Sequence, residues 1–209
     1  DLDETDFAHW GRALGELHAA SLDLDIERPS WAEHLADMRG LIPLEENDAH
    51  SELDCIAREF EGLDGGPDEF GLIHFDFEMD NLLWDDDGRL GIIDFDDCAY
   101  YPFAADIALA LRDLSDDAIA HIDLTDERLQ TFVAGYRQVK SLSDEALRQL
   151  PLFMRLGNLM VFARQIWALG DGPEREEPQW TTELRRTLAL ELARSRHDFA
   201  ENPLRLFLS

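Results

Sequence analysis

Residues 71–97 constrain this chain more than any other stretch. His74-Phe-Asp76-Phe-Glu-Met-Asp80-Asn81 has the form H-x-D-x-x-x-x-N, and thirteen residues after Asn81 comes Asp94, in Gly91-Ile-Ile-Asp94-Phe-Asp96-Asp97. Between them Leu82-Leu-Trp-Asp85 reads as a strand, Asp86-Asp87-Gly88 as a turn, and residues 90–95 as the returning strand. Such a hairpin brings Asp94 back to the neighbourhood of Asn81.

The spacing suits phosphoryl transfer to a hydroxyl. The attacking hydroxyl needs an acceptor for its proton, and a carboxylate on a tight loop can reach it; Asp76 is the candidate. The phosphates of a nucleotide need Mg2+, a hard cation that takes oxygen ligands and only one or two of them from protein. Asn81 and Asp94 are the candidate metal ligands, and Asp96 is a further candidate for a second metal or, equally, a solvated turn acid. A H-x-D-x-x-x-x-N string alone says little in a chain with 46 acids; the second acid at the end of a hairpin strand gives it weight.

Three segments together, Gly71-Leu-Ile-His-Phe-Asp-Phe-Glu-Met-Asp-Asn-Leu-Leu-Trp-Asp, Ile92-Ile-Asp-Phe-Asp-Asp and Phe103-Ala-Ala-Asp106-Ile-Ala-Leu-Ala-Leu, resemble the aminoglycoside phosphotransferase/choline kinase family. The helix Trp10-Gly-Arg-Ala-Leu-Gly-Glu-Leu-His18-Ala-Ala-Ser is similar to the one that opens that family's C-terminal lobe. The resemblance implies an α+β, predominantly helical fold, a protein-kinase-like C-terminal lobe with a small β-hairpin carrying the catalytic and metal residues. Position by position it makes Asp76 the catalytic base and Asn81 and Asp94 the metal ligands. It has His74 brace the catalytic loop, and it has Asp106 hold the loop backbone from behind. The implied activity is ATP-dependent transfer of a phosphoryl group to a hydroxyl of a small molecule, with Mg2+. Kinases of choline, homoserine or a protein Ser/Thr share these residues, and a non-catalytic binding or scaffold lobe is the alternative from another class. The pattern departs at Phe75, where members commonly have Gly, and at Glu78-Met79-Asp80, where they commonly have His-Pro-Gly.

Two other motifs fit less well. Asp76-x-Glu78-x-Asp80 opens like a calcium loop, but Asn81 stands at position six in place of Gly and Asp87 at position twelve in place of Glu. Apolar residues before Asp94-x-Asp96 also look like the nucleophile strand of haloacid-dehalogenase-type phosphatases. That fold continues in βα repeats with a cation to hold phosphate, whereas everything after Asp106 reads as helix and the sole lysine, Lys140, lies in a helical tract with no motif around it.

The elements that cover ATP in kinase-like enzymes, a Gly-rich loop, a strand Lys and its Glu partner, lie upstream of the catalytic loop, and residues 1–73 contain none of them; a P-loop is also absent. The expectation is a single lobe over residues 1–209 without the ATP-binding lobe, and therefore poor at binding ATP alone. The chain has 209 residues and 45% apolar content, enough to bury a real core, with a small mixed β insert near 71–95. Helices are expected near 5–20, 31–40, 48–62, 104–114, 126–140, 144–169 and 180–197. Thr125 and Thr181 are expected as N-caps, Gly170 as a stop and Pro151 as a break. Phe7, Trp10, Leu14 and Leu17 mark the buried face of the first helix.

The formal charge of −28 disfavours nucleic acid and anionic membranes as partners and favours a cationic acceptor. Acids are spread over the entire chain, however, which reads as a global bias more than as one designed pocket. Arg155, Asn158 and Arg164 are read as ion-pair partners in so acidic a chain ahead of cleft residues. Cys55 and Cys98 are far apart and form no C-x-x-C, so neither a disulfide framework nor a zinc site is expected, and a reducing cytoplasm is the natural location.

Overall fold

The computed structural model describes residues 4–63, 66, 68–84, 90–112, 123–170 and 178–204. By contacts the chain divides into two compact units, Asp1–Trp31 with Asp64–Met154 and Ala32–Leu63 with Arg155–Ser209. The first holds α1 (Glu4–Ser21), β1 (Phe70–Ile73), β2 (Leu82–Trp84), β3 (Leu90–Ile92), β4 (Ala99–Pro102), α4 (Phe103–Ala110), α5 (Glu127–Tyr136) and α6 (Asp144–Arg148). The second holds α2 (Trp31–Leu41) beyond its first residue, α3 (Asn47–Glu61) and α8 (Gln179–Glu201). The boundary falls inside α7 (Leu150–Leu169).

In the first unit α1 and α5 pack backbone to backbone. The α1 stripe Phe7, Trp10 and Leu14 meets the α5 stripe Leu129, Phe132, Val133 and Tyr136, all buried at helical spacing. Trp10 stands edge-on to Phe132 with ring centroids 5.2 Å apart. Close approach requires glycine on both helices: a β-carbon on Gly11 would collide with the Phe132 carbonyl, and one on Gly135 with the Ala8 carbonyl. Leu17 is only half-buried, and the buried stripe of α1 runs on instead to His18.

The β insert consists of two antiparallel pairs. Strands β2 and β3 form the expected hairpin, with Leu82 opposite Ile92 and Trp84 opposite Leu90; its turn lies outside the described residues. Strand β1 pairs with β4, Phe70 opposite Pro102 and Ile73 opposite Ala99. The parallel element is a single bridge from Ser30 to Tyr100. Strand β4 was not expected: four residues ending in proline carry too little alternation to read as a strand. From β4 the chain enters α4 directly, and every residue of α4 is buried.

Several helix ends differ from expectation for local reasons. Asp126 caps α5 by accepting from the Arg128 N–H, while Thr125 turns back to donate to Asp123. Thr181 lies inside α8, whose cap position is Pro178. Pro151 falls in the first turn of α7, where its missing N–H costs nothing, and the chain breaks just before it between α6 and α7. Gly170 ends α7 at φ +49°, a left-handed position that glycine adopts without strain. Neither cysteine forms a disulfide, and both are buried. No described helix is long and apolar enough to cross a membrane.

The second unit is pinned by a buried ion cluster. Arg155, with no exposed side-chain surface, sits between Glu52 of α3 and Asp198 of α8; the other Glu52 oxygen accepts from the Leu204 N–H at 2.9 Å. Its guanidinium also lies over the Phe199 ring, 5.4 Å from the centroid.

Two stability outcomes follow. Gly135→Ala should cost about 1–3 kcal/mol or more, because the obstruction is backbone, whereas Gly40→Ala, which meets nothing within 4 Å, should be neutral or stabilise by about 1 kcal/mol. Arg155→Ala should cost about 3–5 kcal/mol by stranding two buried carboxylates. Denaturant unfolding of each variant checks both; equal midpoints for Gly135→Ala and Gly40→Ala would overturn the close-packing account.

Candidate active site

The loop that follows β1 is held from behind by one carboxylate. Asp106, fully buried on the first turns of α4, accepts the His74 N–H on Oδ2 and the Phe75 N–H on Oδ1, each at 2.8 Å. Charge-assisted bonds of this kind contribute about 1.5–3 kcal/mol each. They hold Phe75 at φ +72°, the left-handed region that glycine adopts freely. The position where the resembling family commonly has Gly is thus one whose backbone favours Gly. Here Phe75 offsets the strain by burying its ring against Tyr101, centroids 4.9 Å apart.

Asp106 also accepts from His18 Nε2 at 3.0 Å, and His18 Nδ1 lies 2.9 Å from the Tyr136 hydroxyl. Burial first, and then the charge of Asp106, push the Tyr136 phenol well above its ordinary value, so it stays protonated and donates to Nδ1. His18 therefore carries its proton on Nε2 and donates it to Asp106. Lys140 is buried with its ammonium 4.5 Å from the centre of the Phe103 ring, and its charge adds a smaller share to the burial that lowers the His18 pKa.

On the loop itself His74 makes the cross-tie. Its Nε2–H donates to the Ile93 carbonyl at 2.9 Å, and its Nδ1 accepts the Asp76 N–H at 3.3 Å, which fixes the tautomer. The Ile93 N–H in turn donates to the Asn81 carbonyl at 3.1 Å. Both peptide groups of Ile93 are thereby tied to the loop, and the next residue is Asp94, held left-handed at φ +64°. Asn81 donates through Nδ2 to the Asp76 carbonyl and to Asp76 Oδ2, both at 2.9 Å, which leaves Oδ1 as the acceptor end of its amide.

The expected site residues thus fall into two sets. His74, Asp76, Asn81 and Asp106 are joined by hydrogen bonds, and Asp94 follows the residue that cross-links them. Asp96 is exposed; its carbonyl accepts from Arg28 at 3.1 Å. Among the described residues no three His, Cys, Asp or Glu side chains form a metal cluster. The sequence reading missed His18, Tyr136 and Lys140, although the first two end the buried stripes of α1 and α5, where a polar residue at the next helical step was the available signal. It also missed Arg112, which meets Glu78 and lies 3.9 Å from Asp76 Oδ1. No motif marked it.

A mostly helical lobe with small antiparallel sheets, and a loop of this form behind a hairpin, is a kinase-like fold. The chain belongs to the phosphotransferase enzyme family, whose profile matches residues 2–142. It is 26% identical over 172 residues to amicoumacin kinase of Bacillus subtilis, covering 78% of this chain and 51% of that protein. It is 32% identical over 158 residues to homoserine kinase of Neisseria meningitidis, covering 71% of this chain and 49% of the relative. The chain spans about half the length of the curated relatives it matches. Among solved structures, an amicoumacin kinase in complex with AMP-PNP, Ca2+ and Ami superposes with a TM-score of 0.77 over 97% of this chain and 60% of its own, at 23% identity, a likeness of fold alone. A microcompartment-associated aminopropanol kinase gives 0.64 at 27% identity, covering 98% of this chain and 65% of its own.

Burial outweighs the pull of Asp106 and lowers the His18 pKa from its ordinary 6.5. The unfolded chain then binds more protons between the two values. The stability that neutral His18 contributes is full above pH 6.5 and is lost as pH falls toward the folded value. The thermal midpoint of the wild type, relative to His18→Gln, should therefore drop as pH is lowered from about 7 to 5. Parallel curves for the two proteins would overturn this.

Proposed function

We propose that this chain carries the catalytic loop of a kinase that transfers the γ-phosphoryl group of ATP to a hydroxyl of a small molecule. The observation that carries the reading is the pair of ties on the loop: Asn81 Nδ2 on Asp76 Oδ2, and His74 on the residue preceding Asp94. Asp76 takes the role of base. Its Oδ2 is fixed by Asn81, and its carboxylate, 37% exposed, is open to an incoming hydroxyl whose proton it accepts. His74 and Asp106 hold the backbone so that this carboxylate need not reorganise during transfer.

The residues fit Mg2+. A divalent cation bound with nucleotide supplies charge neutralisation of the phosphates, and it asks for few protein oxygens. The Asn81 Oδ1 and the Asp94 carboxylate are the two this chain would provide. Asp96 is a weaker candidate, because the contact that fixes it is made through its backbone. Relatives named as kinases of amicoumacin, homoserine and aminopropanol favour a small-molecule acceptor over a protein. Choline belongs to the same acceptor class. In kinase-like enzymes a Gly-rich loop, a strand Lys and its Glu partner contact ATP; residues 1–209 contain none of that set. We place the protein in the cytoplasm, where ATP and Mg2+ are supplied.

The test is ATP consumption by the full-length gene product with Mg2+, against aminoglycosides, amicoumacin, homoserine, aminopropanol, choline and sugars. Acceptor-dependent turnover is expected, with Asp76→Ala reducing it by about 10²–10⁴-fold and Asp94→Ala abolishing it, the helical CD spectrum of both unchanged. Full activity in Asp94→Ala would overturn the metal assignment. Mg-ATP binding with no turnover on any acceptor would favour the scaffold alternative.

A further inference from the structure

Helix α4 is wholly buried from Phe103 to Ala110, Leu111 is 2% exposed, and Arg112 is where the chain emerges, its side chain 36% exposed. There its Nη2 meets Glu78 Oε1 and lies 3.9 Å from Asp76 Oδ1. The other Asp76 oxygen is the one held by Asn81. The two oxygens of the candidate base are therefore approached by different groups, one by a neutral amide and one by a cation. Other surface pairs, Arg148–Glu145 and Arg12–Glu16 within one helix and Arg196–Glu46 and Arg39–Asp54 between segments, join one arginine to one carboxylate, whereas Arg112 also lies beside the candidate base. The Arg112 pair joins two separate segments, and its carboxylate partner Glu78 is only 20% exposed.

We propose that Arg112 is a positioning residue for the phosphoryl transfer, steered by Glu78 so that it aligns the Asp76 carboxylate and offsets the charge gathered there. The inference rests on the kinase reading above. A base carboxylate, Glu78 and an arriving phosphoryl group repel one another, and in a chain of net charge −28 with 18 basic residues a cation at that point has to be held in place. Guanidinium suits the task because it can pair with Glu78 while its charge stays 3.9 Å from Asp76, leaving N–H donors for phosphate oxygens. Glu78, at one of the positions where the sequence departs from the resembling family, acts through Arg112.

The experiment is steady-state kinetics of the full-length gene product on whichever acceptor it turns over. Arg112→Gln is expected to lower kcat by about 10–100-fold with KM for ATP changed by less than about threefold, and Arg112→Lys to restore part of the loss. Glu78→Gln should lower kcat less. The double variant should match Arg112→Gln alone, since Glu78 acts only through the arginine. Arg148→Gln, in an exposed pair elsewhere, is the control expected to keep wild-type rates. Unchanged kcat in Arg112→Gln, additive effects in the double variant, or a loss confined to KM would overturn the inference while leaving the kinase reading intact. Absence of turnover in the wild type on every acceptor would overturn both.

Discussion

The Asp106 carboxylate is the point on which the first unit depends. With no exposed surface it gathers two loop N–H groups and the His18 ring, from β1, the loop and α1, onto α4. A buried carboxylate is tolerated only when its lone pairs are filled by donors, so α1, β1 and α4 cannot shift independently without stranding a charge. The same demand explains the rest of the cluster. Tyr136 must remain a phenol to fill His18 Nδ1, and Lys140 places a cation over the adjoining Phe103 ring. The α1–α5 glycine contact has its place here too, because it is the approach of those two helices that brings His18 to Tyr136.

Strain is concentrated where the ties are. The two non-glycine residues with positive φ among the described residues are Phe75 and Asp94, one beside Asp76 and one a candidate metal ligand. Each costs about 1–3 kcal/mol and persists only where surrounding bonds over-determine it. At Phe75 those bonds are the N–H to Asp106 and the ring against Tyr101. At Asp94 they are the two peptide ties of Ile93, one to Asn81 and one to His74. Removing His74 would therefore release Asp94 without touching it.

Most of the architecture was legible because its signals are local. The hairpin, the helices and the split at Pro151 follow from apolar period, turn residues and a missing N–H, which need only neighbours in sequence. What could not be read depends on distant partners. Strand β4 exists because β1 offers it a ladder, and the Asp126 cap displaced Thr125 because Asp123 competed for the threonine hydroxyl. The site divides in the same way. Asp76, Asn81 and Asp94 announce themselves by spacing and Asp106 by resemblance, whereas His18 lies 88 residues from the Asp106 it bonds and Arg112 carries no motif. Arg155 was read as an ion-pair residue and is one, but only the fold reveals that both its carboxylate partners are buried.

The global acidity bears on the site less than its size suggests. Between residues 76 and 97 the sequence carries the acids Asp76, Glu78, Asp80, Asp85, Asp86, Asp87, Asp94, Asp96 and Asp97, in a segment whose proposed task is to receive more negative charge in the form of phosphates. Interactions beyond about 8 Å are largely screened at physiological salt, so the remaining acids of the chain neither help nor prevent this. In the proposed reading the local balance decides, and it would have two terms: a divalent cation held by Asn81 and Asp94, and the guanidinium of Arg112. A cationic acceptor would add a third, which the proposed reading does not require. Acceptor charge is therefore a matter for residues around the hydroxyl's own substituents and not for the net charge of the protein.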